Sequence, residues 1–99
     1  MHIIARPKLI DFFSDPSYQD SEQQLKAWWR EAKHADWKTP ADVKRHYGNA
    51  SIVADNRVVF NICGNKYRLV VKFHYNCGVG YIRFIGTHEQ YDQINVETI

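Results

Sequence analysis

The spacing of apolar residues along the chain changes at about residue 48. After this point apolar and polar residues alternate, which is the period of β-strands that bury one face. The alternation predicts strands over residues 51–54, 57–63, 66–75 and 79–85, and a short apolar run predicts one more over residues 2–5. The strands therefore fall mainly in the second half of the chain.

Before residue 48 the apolar residues recur at helical spacing. A first helix is expected from Pro7 to residue 15, since proline suits the first helical turn. A second should begin after Ser21, which with Gln24 fits a capping box. Its apolar side includes Trp28 and Trp29, so both indoles are expected to pack against the sheet.

A third helix should begin after Thr39, with Pro40 at its first position, and end at Gly48 in a left-handed conformation. Gly64 and Asn65 are expected to form a tight hairpin turn, because both residue types tolerate positive φ. Helices followed by strands indicate an α+β domain, with a mainly antiparallel sheet and helices packed on one face. The 99 residues are expected to form one domain, 1–99.

The strand predicted around residue 70 has cations on one side and apolar residues on the other. Lys66, Arg68 and Lys72 share the polar side. Like charges on one strand face repel one another, so a structural strand gains nothing from them. We expect these cations to project from an open face of the sheet toward an anionic ligand, for which nucleic acid is the common candidate.

The positive charge that has no carboxylate nearby in the sequence is concentrated in the same half of the chain, although the formal net charge is only +2. Five cations and no carboxylate occur between residues 56 and 88: Arg57, Lys66, Arg68, Lys72 and Arg83. Two cysteines do not make a disulfide framework. Without a signal pattern or a long apolar run, a cytoplasmic protein with no membrane partner is expected.

Candidate chemistry lies just after the last predicted strand. His88 can transfer a proton near neutral pH, and Tyr91 lies on the same side of a following helical turn. RNA can be cleaved when its 2′-hydroxyl attacks the neighbouring phosphate, which requires a base, an acid and positive charge. Arg68, Lys66, Lys72 and Arg83 could supply that charge. Asn61 could hydrogen-bond the substrate, and Arg57, on the same side of its strand, is also expected to bind RNA.

Each of these residues also has an ordinary structural interpretation. Arg68 and Lys72 could be solvated charges, His88 a surface or cap residue, and Tyr91 a packing residue. A zinc site built from two thiols and two imidazoles is a further alternative; its residues would be Cys63, His74, Cys77 and His88. The spacing of these four residues lacks the two close pairs of a zinc knuckle, so no metal is expected.

Several long segments resemble the HigB toxins: residues 56–62, 64–71 and 82–92, with residues 35–44 upstream. HigB toxins belong to the RelE-like mRNA interferases of type II toxin–antitoxin systems. The resemblance implies a RelE-like, microbial-RNase-like α+β fold. It also implies cofactor-free and metal-free cleavage of mRNA in the A site of the 30S ribosomal subunit.

The same resemblance implies partners and residue roles. The partner would be a HigA-type helix-turn-helix antitoxin, through which the toxin would associate indirectly with operator DNA. Arg68 looks like the arginine that stabilises the transition state, and His88 like the C-terminal catalytic residue. Lys66 and Tyr91 are similar to the supporting basic and aromatic residues.

Two other hypotheses stay open from the sequence. The chain could be a non-catalytic RNA- or ribosome-binding module that blocks translation by occupancy, because binding also needs the cations. It could also be a ribonuclease that cuts free RNA without the ribosome.

Overall fold

The computed structural model describes all 99 residues, Met1–Ile99, as a five-stranded sheet with helices. The chain runs β1 (His2–Ile4), α1 (Pro7–Ser14), a 3₁₀ helix (Pro16–Ser21), α2 (Glu22–His34), α3 (Pro40–His46), β2 (Ser51–Val53), β3 (Arg57–Ile62), β4 (Tyr67–His74), a 3₁₀ turn (Tyr75–Cys77), β5 (Val79–Thr87) and α4 (His88–Asp92). The prediction of an α+β fold is confirmed. No helix has the length and apolar character needed to cross a bilayer.

The strands are ordered β1-β5-β4-β3-β2. β1 pairs parallel with β5, and every other neighbouring pair is antiparallel. The register between β4 and β5 shifts once, because Val70 faces Phe84 while Val71 faces Ile82. Arg83 is therefore the extra residue of a β-bulge, which bends β5 at this point.

The main core lies between one face of the sheet and the helices. From the sheet it receives the alternate β4 residues, namely Tyr67, Leu69, Val71 and Phe73. Trp28 of α2 is 2% exposed and meets Phe60 edge-to-face at 5.3 Å between centroids. Trp29 is only partly buried, so the expectation that both indoles bury against the sheet is wrong for this residue. Because Trp29 is one residue further along α2 than Trp28, its side chain lies on a different side of the helix, nearer to solvent.

α2 begins directly after Ser21 as predicted, but its predicted capping box and the predicted end of α3 are wrong. The backbone of Ser21 is already helical, at φ −85° and ψ −13°, because the 3₁₀ helix continues directly into α2. Its hydroxyl donates to the Tyr18 carbonyl instead of capping α2, and the Gln24 side chain accepts from the Cys63 backbone N–H at 2.6 Å. α3 ends at His46 with Tyr47 as its C-cap, and Gly48 has no positive φ.

The start of α3 is as predicted, since Thr39 and Asp42 form a complete capping box with Pro40 in the first turn. In the β3–β4 turn, positive φ occurs at Cys63 and Gly64 and not at Asn65. Lys66 belongs to this turn and precedes β4.

The second face of the sheet is not open at its centre, contrary to the expectation. Val59 and Val70, paired across β3 and β4 on this face, are 3% and 0% exposed. The guanidinium of Arg57 donates through Nε to the Ile99 carbonyl at 2.9 Å. The backbone of Ile99, seven residues after α4, therefore reaches this face of the sheet beside Arg57.

Candidate functional site

The candidate residues meet at one end of the sheet, where β3 ends, β4 begins and β5 ends. Asn61 and Arg68 are directly opposite each other across β3 and β4, and Gly86 of β5 faces Arg68 on its other side. Antiparallel pairing thus brings three segments of the chain to one place.

Arg68 is held in a fixed orientation by neutral groups. Its Nη1 donates to the side-chain carbonyl of Asn61 and, at 3.2 Å, to that of Asn65. The Tyr91 ring lies below the guanidinium, with Cζ 5.7 Å from the ring centroid. No carboxylate pairs with Arg68, so its positive charge is available to an incoming anion.

α4 begins immediately after β5 and carries His88 and Tyr91. Thr87 caps this helix through a complete capping box with Gln90, and the His88 N–H donates to the Lys66 carbonyl at 3.1 Å. Nδ1 of His88 lies 3.3 Å from the Asp92 carboxylate, one helical turn on. When Nδ1 donates its proton to Asp92, Nε2 remains available to exchange a proton with a ligand.

Gly86 permits α4 to lie this close to the strand end. A Cβ at this position would stand 2.5 Å from Cζ of Phe84 and 2.6 Å from Oε1 of Gln90. Both distances are shorter than van der Waals contact, and the Gln90 oxygen is the one that accepts from the Thr87 N–H at 2.9 Å. Only glycine therefore fits here without moving the cap of α4.

Lys66 is held from outside the sheet by Asp20 of the 3₁₀ helix. Lys66 Nζ and the Tyr67 hydroxyl both donate to this carboxylate, the latter at 2.5 Å. The hydrogen bond from Lys66 is the largest cause that lowers the pKa of Asp20, and the same bond raises the pKa of Lys66. The prediction that Lys66 projects beside Arg68 from one open strand face is wrong, because Lys66 lies in the turn and faces Asp20.

Lys66 and His88 nevertheless line one shallow groove. The groove is bounded by the 3₁₀ helix, the β3–β4 turn and the start of α4; its other residues are Ser17, Tyr18, Asn65, Tyr67, Thr87 and Glu89. Sequence reasoning missed Asp20 and Asn65. Asn65 follows a glycine in a hairpin turn and is only three residues before Arg68 in the sequence, so it could have been found. Asp20 lies 46 residues before Lys66 and gives no local signal.

Three predicted RNA-binding residues lie elsewhere. Lys72 shares the strand face of Arg68 but is four residues further along, which is about 13 Å. Arg57 is 5% exposed, and its donors are used by the carbonyls of Ile99 and Asp55. Arg83 is exposed at the bulge, beside α1. The structure thus brings Arg68 into contact with Asn61 and Tyr91, places Lys66 and His88 in the adjacent groove at the same end of the sheet, and leaves these three apart.

The four residues considered for zinc do not form a cluster. No three His, Cys, Asp or Glu side chains lie close enough together to hold a metal ion. Cys63 packs beside the core and its thiol is 3.5 Å from the Asp20 carbonyl; burial raises its pKa.

A family model described as the RelE-like toxic component of a toxin–antitoxin system, HigB_toxin, matches residues 21–94. The chain belongs to the HigB toxin family. No curated protein sequence matches it significantly. All eight predicted site residues of this HigB-family chain fall inside the matched range, whereas Asp20 and the final residues of the chain fall outside it.

Membership in the HigB family has two direct consequences. The chain is the toxic component of a toxin–antitoxin system, and its physiological partner is an antitoxin. RelE-like toxins as a class suggest ribonuclease activity. The arrangement around Arg68 therefore has to be considered as a site for RNA.

Proposed function

We propose that this HigB-family chain is an endoribonuclease that cleaves mRNA on the ribosome and so stops translation. The observation that carries the proposal is the fixed guanidinium of Arg68 beside the helix that carries His88 and Tyr91. A cation without a carboxylate partner suits a phosphodiester, and a histidine on the neighbouring helix suits proton transfer.

The proposed reaction is attack by the 2′-oxygen on the adjacent phosphorus. The 2′-hydroxyl loses its proton to a base, the P–O5′ bond breaks, and an acid gives a proton to the leaving O5′. The products are a 2′,3′-cyclic phosphate and a 5′-hydroxyl. Arg68 stabilises the extra negative charge of the phosphorane, while Nε2 of His88 exchanges a proton and the Tyr91 ring positions the nucleotide.

Dependence on the ribosome follows from what the site lacks. Lys66 is engaged by Asp20, so His88 is the one imidazole that lines the groove, and the neighbouring Glu89 is its one carboxylate. A shallow site with few groups gains most when another body holds the substrate in a reactive geometry. We propose that mRNA is presented in the A site of the 30S subunit, and that the antitoxin is of the HigA type and carries the operator-DNA contact.

The test is a translation extract programmed with a defined mRNA, followed by mapping of new RNA ends. Purified toxin should produce discrete ends that carry a 2′,3′-cyclic phosphate, and a 2′-deoxy substitution at a mapped site should abolish that cut. The same mRNA without ribosomes should remain intact. Cleavage of the 2′-deoxy site would rule out the proposed chemistry.

A non-catalytic inhibitor is the second candidate, favoured by the single free imidazole. It predicts that protein synthesis stops while no new mRNA ends form. Efficient cleavage of the bare mRNA would instead identify a ribonuclease that needs no ribosome.

A further inference from the structure

A second concave surface lies on the helical layer, between α1 and α2. Its floor is formed by three buried residues, Leu9, Phe13 and Leu25. Ile10 stands at its edge and is 38% exposed, one of two large aliphatic side chains of the chain that face solvent to this extent. Partly buried Trp29 closes the α2 side. This apolar surface is separate from the candidate site, none of whose residues lines it.

The hollow at the centre of this surface has a volume of about 120 Å³. A cavity of about 150 Å³ holds a benzene molecule, so this one accepts a single side chain of the size of leucine or isoleucine. A small apolar hollow between two helices is the usual form of a surface that binds an amphipathic helix through spaced anchors.

Cations surround this groove. Arg6 lies over the Trp29 ring at 4.0 Å from Cζ to the centroid, and Nζ of Lys33 lies 4.8 Å from the same ring. Arg30 lines the groove from α2. None of these three forms a salt bridge, whereas Lys26, which also lines it, pairs with Glu22 at 2.6 Å. The rim is therefore positive, and acidic side chains on a partner would complement it.

We propose that the α1–α2 groove docks an acidic amphipathic helix of the antitoxin, with one aliphatic side chain in the hollow and Asp or Glu residues against Arg6, Arg30 and Lys33. The identity of the occupant rests on the toxin role proposed above, because a toxin of this family has an antitoxin as its protein partner. The groove itself is not given by the family match, since α1 lies outside residues 21–94.

An RNA ligand fits this surface less well than a protein helix. RNA uses aromatic faces for base stacking, and the Trp29 ring already has two cations over it. The floor consists of aliphatic and phenyl groups without hydrogen-bonding atoms, which would bury polar base edges unsatisfied. An apolar anchor on a peptide carries no such cost.

The test uses two fluorescently labelled helical peptides that share one leucine pattern and differ only in having Glu or Lys at the remaining charged positions. The Glu peptide should bind the purified toxin in fluorescence anisotropy, and the Lys peptide should bind at least about tenfold more weakly. Ile10→Glu and Arg30→Ala should each weaken binding of the Glu peptide by about tenfold or more. Arg45→Ala removes a helix cation on α3 and should leave binding unchanged.

Several results would overturn the proposal. They are equal binding of both peptides, an equal loss in Arg45→Ala, or displacement of the Glu peptide by a single-stranded RNA oligonucleotide. The binding assay does not depend on cleavage. A toxin that binds the peptide but cuts no mRNA would leave the groove in place and refute the proposed nuclease, while cleavage without peptide binding would do the reverse.

Discussion

Arg68 is the group on which the proposed chemistry depends most. Arg68→Ala removes a cation held by two amide carbonyls and opposed by no carboxylate. The expected loss is about 10²–10³-fold in cleavage rate, or about 2.7–4 kcal/mol of transition-state stabilisation. Because Arg68 is only partly buried and outside the main core, its free energy of unfolding should change by about 1 kcal/mol or less.

Asn61→Asp is a sharper version of the same perturbation. It keeps the shape of the side chain but places a carboxylate on Nη1 of Arg68, which converts a charged donor into an ion pair. The guanidinium should then attract a phosphate more weakly, and cleavage should fall by about 10²-fold although Arg68 is intact. Asn61→Ala, which only releases the guanidinium, should cost less.

The assay is the rate of appearance of a mapped mRNA end in the translation extract, at equal concentrations of toxin. Lys38→Ala is the matched control, because this lysine is 76% exposed and lies at the opposite end of the sheet near His74. Urea titration checks that each variant is folded. A folded Arg68→Ala protein that cleaves within about threefold of the wild type would refute the role of this charge.

Three further predictions concern proton transfer, packing and pH. His88→Ala should lower cleavage by about 10²-fold or more in the extract, and an unchanged rate would assign proton transfer to another group. Trp28→Ala should lower the free energy of unfolding, measured with urea, by about 3–5 kcal/mol. Trp29→Ala should lower it by only about 1–2 kcal/mol, because this residue is partly buried. Equal losses would contradict the packing of α2. The hydrogen bond from Lys66 lowers the pKa of Asp20 below its ordinary 3.8, so the stability it contributes is present above about pH 4 and is lost as the pH falls through the lower folded-state value. Asp20→Asn should therefore reduce the fall in Tm between about pH 5 and pH 2; an unchanged fall would mean that other carboxylates dominate it.

The sequence predicted correctly those features that are decided by residues a few positions apart. The capping box at Thr39 and the facing of Arg68 away from the core both follow from spacing of a few residues. The predicted cap at Ser21 failed because a preceding 3₁₀ helix, which the hydrophobic period does not reveal, already satisfied the helix start.

Contacts between distant segments were outside the reach of the sequence. Lys66 carries the right charge for the candidate site, yet its direction is decided by Asp20, 46 residues earlier. Arg57 was predicted to bind RNA, but the carbonyls of Ile99 and Asp55 take its donors, and Ile99 lies 42 residues further along the chain. Alternation fixes which side of a strand a residue faces and does not reveal what covers that side.

The close approach at Gly86 has a genetic consequence. Cells that express a toxin are under selection for variants that have lost toxicity, and a survivor screen is often used to map essential residues. Substitution of Gly86 would displace the Gln90 side chain from the Thr87 N–H and so weaken the cap of α4, although residue 86 has no side chain to take part in chemistry. We expect changes at this glycine to recur among survivors beside those at Arg68 and His88. A list of survivors would then combine residues that act on RNA with one that only leaves room for them.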